Sequence, residues 1–368
     1  MKRRCLLRSA PAWLLGSCGR QSGIAGSIVG GSHARGHLLR GAAMPKVDHH
    51  EKADVVIVGG GIAGLTAARR LAKMGIEKIT VLELESQCGG ASISGKNAVS
   101  AYPWAAHYVP LPGRDCVEVR RFFEECGIIT GHDAAGRPIY DEMALCHDLQ
   151  ERLFIHGEWI EGLNPADGLP EKEKAQFAAF TAEIAHWREK RGRDGKPAFA
   201  LPVDASSQDA EILALDTQNM SAWMDAHGFS SEALRWSVDY ACRDDFGGSS
   251  DEVSAWAGLH YFASRTGEAA NAEPETMLTW PEGNGHLVKL ITQDLPATRT
   301  DALAYAVEVN GQGASVLALE TQTGRAIRID ARAVMLCVPR FVARRLLDPR
   351  AASADLVLAL GGGQSHAR

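Results

Sequence analysis

The chain has 368 residues, of which 45% are hydrophobic and 23% charged, a composition ordinary for a soluble globular protein of about two domains and unlike that of a disordered or fibrous chain. Charge is unevenly spread: residues 1–47 contain eight Lys or Arg and no Asp or Glu, and the remaining 31 basic and 45 acidic residues carry −14 of an overall −6. An acidic body excludes nonspecific nucleic-acid binding, which needs a cationic face to neutralise phosphates. No apolar run reaches the ~18 residues of a bilayer-spanning helix, so no transmembrane helix is expected. The eight cysteines show no C-x-x-C and the thirteen histidines no H-E-x-x-H, so neither a disulfide framework nor a metal site is expected.

Residues 1–47 read as an export leader and tether. The start is basic and a short apolar stretch and small residues lead to Cys18, the layout of a signal segment. Arg3-Arg4-Cys5-Leu6-Leu7-Arg8 resembles the twin-arginine export motif and Leu15-Gly16-Ser17-Cys18 a bacterial lipobox. Together they imply a product exported folded and either periplasmic or held at a membrane by a lipid on Cys18. Because Arg8 interrupts the apolar stretch, an organellar or cytoplasmic location stays open. Residues 19–45, rich in Gly, Ser and His, form a tether or an arm lying on the domain.

Residues 53–85 carry the strongest signal. The apolar run from Val55 to Val58 precedes Gly59-x-Gly61-x-x-Gly64, which opens a helix, and the next strand closes on Glu83, 19 residues after Gly64. A dinucleotide site has its acidic residue at about this distance, ~20. Gly59 permits the tight turn, Gly61 lets backbone approach a pyrophosphate, and Gly64 lets the helix sit close on the strand. The first N–H groups of that helix, at Ile62 and Ala63, and its positive dipole end face the phosphates. Glu83, with Leu84 next to it, accepts hydrogen bonds from the adenosine ribose.

After Glu83 comes a polar loop containing Gly89-Gly90-Ala91, which is either a second backbone approach to the diphosphate or a flexible βα connection. Tyr102, Pro103 and Trp104 lie in an aromatic segment, residues 101–108, that either walls a flat ring system or belongs to the core. Residues 48–115 therefore form the first segment of a dinucleotide domain. From 116 to 279 the pattern is mainly helical with one β-hairpin turning at His156-Gly157. A helix over 171–191 places Phe177, Phe180, Ile184 and Trp187 on one stripe, and Ser249-Ser250-Asp251-Glu252 caps a helix carrying Trp256, His260 and Tyr261. Asp244-Asp245 is either a carboxylate pair facing substrate or a solvated helix end. Residues 280–345 return to the first domain through a turn and helix at 280–291 and strands at 303–309, 315–320, 325–329 and 333–339. Residues 346–368 remain as a tail.

These features resemble the flavin amine oxidase and phytoene desaturase superfamily, in particular its bacterial exported FAD-dependent oxidoreductases. The resemblance rests on residues 59–83, Gly89-Gly90, AYPWAAHY at 101–108, WPEGNGHL at 280–287 and AVMLCVP at 333–339. It implies an α/β fold: a Rossmann-like FAD-binding domain of the GR2-type flavoprotein fold, with an inserted, mainly helical α+β substrate domain. It further implies that Gly59, Gly61, Gly64 and Glu83 bind the ADP half of FAD and that Gly89 and Gly90 approach the diphosphate and ribityl chain. By the same resemblance, Tyr102, Pro103 and Trp104 lie by the isoalloxazine, Leu303 flanks adenine, and the strand with Cys337 and Pro339 covers the nucleotide.

Two departures stand out: Ala91 occupies a position where relatives often carry Arg, and the chain ends in a Gly-rich tail where relatives continue with more substrate domain. That tail reads as a C-terminal truncation, expected to leave Leu346, Leu347, Leu356, Val357 and Leu358 short of packing partners and the short form weak or inactive; no catalytic residue is named. The activity implied is amine-oxidase-like, an FAD-dependent removal of hydride from a C–N or C–C bond of a small molecule. Two alternatives stay open, an NAD(P)-dependent dehydrogenase and a truncated, inactive dinucleotide-binding protein.

Overall fold

The computed structural model describes residue 26 and residues 28–147, 152–155, 157–162, 169–293, 295, 298–310 and 313–347. The leader motifs, Cys18 and residues 348–368 lie outside the described residues. In chain order the elements are α1 (His33–His37) with a 3-10 turn (Leu38–Arg40), β1 (His49–Val58), α2 (Ile62–Lys73), β2 (Ile79–Leu82), a 3-10 turn (Gly90–Ser92), β3 (Ser94–Lys96), β4 (Ala101–Pro103), β5 (Tyr108–Pro110) and α3 (Val117–Glu125). Then come β6 (Ile129–His132), β7 (Pro138–Tyr140), β8 (Arg152–Ile155), β9 (Glu158–Glu161), α4 (Glu171–Glu189), α5 (Ala210–Leu213), α6 (Met220–Ala226), α7 (Glu232–Phe246) and α8 (Ala255–Ala263). The chain returns through β10 (Met277–Thr279), α9 (Gly285–Thr292), β11 (Ala302–Asn310), β12 (Gly313–Glu320), β13 (Arg325–Leu336) and α10 (Arg340–Leu346).

One five-stranded sheet, ordered β11-β12-β13-β1-β2, organises the nucleotide domain. β1 pairs in parallel with β2 and with β13, so that Val58 lies level with Leu82 on one side and Leu336 on the other. Val55 to Val58 is buried from end to end because both sheet faces are covered. Alternate residues supply the two faces: Val55 and Ile57 pack with Ala68 and Leu71 of α2, while Val56 and Val58 pack with Val316, Ile327 and Ile329 of the antiparallel meander β11–β13. The sequence read 325–329 and 333–339 as separate strands. They form one 12-residue strand, because the same backbone serves β12 along its first half and β1 along nearly all its length.

The second packing unit is helical. Phe177, Phe180, Ile184 and Trp187 of α4 meet Trp223 of α6, Phe229, Leu234 of α7 and Leu259 of α8, with Phe180 edge-on to Phe229 at 5.5 Å. Side chains at the helix starts accept from backbone N–H groups: Asn219 from Ala222, Ser231 from Leu234, Ser254 from Ala257. The last of these corrects the sequence reading. Ser249 does bond Glu252, but in the turn before α8, and Ser254 caps that helix. A second two-stranded ribbon, β6–β7, joins the expected hairpin β8–β9; its turn is held by Asp133, which accepts from Ala135 and Arg137.

Leu346 was expected to lack a partner surface. It is 2% exposed and packs into the cluster under the meander, with Leu347 partly buried beside it. The expectation treated the segment after Pro339 as unfolded, whereas Pro339 starts α10. Among the described residues no helix is long and apolar enough to cross a membrane.

Trp223 is 1% exposed at the centre of the helical unit, while Trp236 on α7 is 49% exposed and stacks only on Tyr240. Trp223→Ala should cost about 3–5 kcal/mol in chemical denaturation, and Trp236→Ala no more than about 0.5 kcal/mol.

Candidate functional site

The parallel pairing brings three strand ends together at one edge of the sheet, and the glycine turn is built there. Gly59 has φ +104°, and a Cβ on it would collide with the carbonyl oxygen of Cys337. Cys337 in turn donates its N–H to Val58 O at 2.8 Å. A Cβ at Gly64 would stand inside the carbonyl of Gly59, so glycine is what lets α2 begin flush against β1. At Gly60 a Cβ would lie 2.8 Å from Cys88 Sγ. Burial pushes the Cys88 and Cys337 thiols upward, so both are uncharged at neutral pH.

Gly61 is different. It is the N-cap of α2 with no side-chain hydrogen bond, and a Cβ there would meet only Gly90 Cα, at 3.9 Å. Protein packing therefore leaves room for a side chain where the sequence has none. Gly89 and Gly90, at φ +130° and +56°, bring the second loop alongside, with Gly89 N–H donating to Gly60 O at 2.8 Å. Two bare backbones thus face each other across a cradle into which the first N–H groups of α2, at Ile62 and Ala63, open. Unpaired amides and a positive helix end aimed into a space without side chains suit a diphosphate.

Glu83 stands at the end of β2. One carboxylate oxygen accepts from Gly60 N–H at 2.8 Å and the other from Glu85 N–H at 2.9 Å, which orients both and leaves each oxygen a lone pair for a ribose hydroxyl. Leu303 reaches the same end: Ala302 N–H donates to Glu83 O and Asp301 N–H to Glu85 O. Val338 lies against Gly59, with Pro339 immediately following.

Ala91 accepts from Ala106 N–H at 3.1 Å, tying segment 101–108 to the second loop. Tyr102 covers Gly95 and meets Trp104 edge-on at 5.2 Å, while Pro103 packs on Gly283. Asn284 holds the segment from below, its N–H on Ala106 O and its amide on Tyr108 O. Trp104 remains 46% exposed, so this segment forms an open wall rather than core. The acidic pair is divided: Asp245 faces Arg265 at 3.5 Å, and burial pushes its carboxyl up, whereas Asp244 is exposed. A separate cavity of about 320 Å³ lies between α2, α3 and α9, walled by Ile62, Phe122, Asn284, Leu287 and Ile291.

Sequence reasoning missed one group at this site. Arg35, in the arm, donates to Leu84 O at 3.1 Å and pairs with Asp301 at 2.8 Å. No spacing pattern connects residues 35, 85 and 301; the φ of +52° at Asp301, a conformation Asp tolerates better than most residues, became visible only in three dimensions.

The family described as NAD(P)-binding Rossmann-like domain matches residues 57–126. A flavin-containing amine oxidase of Oncorhynchus mykiss is 34% identical over 79 residues, 21% of this chain and 14% of that protein. Among solved structures, a triple mutant of putrescine oxidase superposes with a TM-score of 0.58 at 19% identity, over 82% of this chain and 61% of that one. Cyclohexylamine oxidase from Brevibacterium oxydans gives 0.56 at 17% identity, over 81% and 60%. The fold is that of the flavin-containing amine oxidases. The chain spans about three fifths of the length of these amine oxidase structures. The Rossmann-like α/β class and the amine-oxidase resemblance read from residues 59–83 are borne out at the level of the fold.

Packing separates two of the glycines. Gly64→Ala should lower the stability of the cofactor-free protein by about 1–3 kcal/mol through overpacking, and Gly61→Ala should leave its chemical denaturation midpoint unchanged.

Proposed function

We propose that the protein is an FAD-dependent oxidoreductase of the amine-oxidase kind, acting on a small molecule at a C–N or C–C bond. The observation that carries this reading is the cradle in which Gly61 faces Gly90 across bare backbone, with Glu83 oriented at its end. FAD bound there supplies the hydride acceptor. The chain's own residues bind and orient: α2 amides take the diphosphate, Glu83 the ribose, and Leu303 with the 337–339 strand end flanks the nucleotide. Tyr102, Pro103 and Trp104 supply an apolar wall beside the flavin ring that limits water. An NAD(P)-dependent dehydrogenase is supported by the family description matching 57–126; the second glycine loop and the amine oxidase fold favour FAD.

Heating the purified protein and recording the absorption of what is released tests the reading: a flavin spectrum supports it, nicotinamide absorption the alternative, and no chromophore a dinucleotide-fold protein without turnover. Gly61→Val should fold yet retain no flavin. Glu83→Ala should weaken retention by about 1.5–3 kcal/mol, the range for hydrogen bonds to a charged group. A Gly61→Val protein purified with full flavin would overturn the assignment.

We also propose export, on the strength of the Arg3-Arg4 and Cys18 motifs. Lys at both arginines should block translocation. Cys18→Ser should release the protein from membranes, since acyl anchoring depends on about 0.8 kcal/mol per buried CH₂; unchanged membrane fractionation would defeat the lipid anchor.

A further inference from the structure

The arm before β1 lies on the nucleotide end of the sheet. Ser32 N–H donates to Glu85 Oε1 at 2.7 Å, and Ser32 Oγ accepts from Arg35 N–H, starting α1. From α1 the Arg35 guanidinium reaches Leu84 O at 3.1 Å, Asp301 at 2.8 Å and Glu85 at 3.7 Å. Further back, Gly30 lies against Ile93 of the second glycine loop, where a Cβ would come within 2.8 Å of Ile93 Cδ1. Further on, Leu39 packs into the cluster under the meander. A recess of about 180 Å³ is left between Gly30, Gly31 and Ser32 on the arm and Glu85, Ser86 and Gln87 after β2.

We propose that this arm is a working part of the nucleotide site: it closes over the adenosine half of the bound dinucleotide, and Arg35 is the latch. The inference rests on the FAD reading above. With ribose at Glu83 and diphosphate in the glycine cradle, the adenosine extends past Leu84 toward Glu85 and Asp301, the residues Arg35 holds. Charge points the same way. Glu83, Glu85 and Asp301 gather at one end of a groove built for a dianion, and Arg35 offsets two of those carboxylates where the ligand enters. Asp301 keeps a left-handed backbone, φ +52°, with its carbonyl bound by Thr321 N–H and hydroxyl and its carboxylate turned to Arg35. A strained conformation retained for one such contact marks a functional position.

The test uses the full chain loaded with FAD, comparing wild type, Arg35→Ala and Arg35→Lys. The rate of flavin release is read as recovery of flavin fluorescence after dilution into excess ADP. Arg35→Ala should release flavin about tenfold faster, as expected for lost charge-assisted contacts, and Arg35→Lys should fall between. As a readout independent of any variant's folding, trypsin cleavage at Arg40 of wild type should slow when FAD or ADP is added. Wild type that retains flavin but releases it as fast as Arg35→Ala, or slower release by Arg35→Ala, overturns the latch alone. Unprotected cleavage at Arg40 does the same. Wild type that holds no flavin overturns the FAD reading and the latch with it.

Discussion

Helix α2 starts against the carbonyl of Gly59, and a side chain at position 64 would end that approach. The rest of the site depends on this contact. With the helix flush on β1, its free N–H groups open at the sheet edge level with Glu83 and Cys337; a shift outward would aim them at solvent. The second loop completes the arrangement only because Gly89 and Gly90 can take positive φ and come within hydrogen-bond reach of Gly60.

The sheet that carries this edge is assembled from distant pieces of chain. β1 and β2 come from one βαβ unit, but the strand on the other side of β1 is β13, nearly 280 residues later in register with His49 at Ile327. Between them the chain builds a helical unit with its own aromatic core and comes back through α9, which sits under the 101–108 wall. Parallel pairing requires such a crossover, and here the crossover holds the helical unit. Wall and cradle are therefore set by the same returning segment: Asn284 fixes the one and Val288 backs Gly89 in the other.

Electrostatically the nucleotide end is unusual for an anion site. It gathers Glu83, Glu85 and Asp301, with neutral thiols at Cys88 and Cys337 nearby. Backbone amides take the place that lysines or arginines hold in many phosphate sites, and the cation at this end comes from the arm, through Arg35.

The sequence alone determined the nucleotide unit, since turn, helix packing and ribose contact are local and each needs one residue type at one spacing: Gly59, Gly61, Gly64 and Glu83. It also determined the α4 stripe, which periodicity alone makes legible. Tertiary structure decided whatever depends on pairing across the chain. Two short strand signals became one β13 because β1 and β12 hold it continuous. Leu346 found a core that only the folded meander provides. Ser254 rather than Ser249 capped α8, a choice made by Asn219 and Gln218 pairing with the segment before the helix. Arg35 met Glu85 and Asp301 for the same reason: their contact joins three segments separated by 50 residues or more, and no local pattern encodes an encounter that the sheet itself creates.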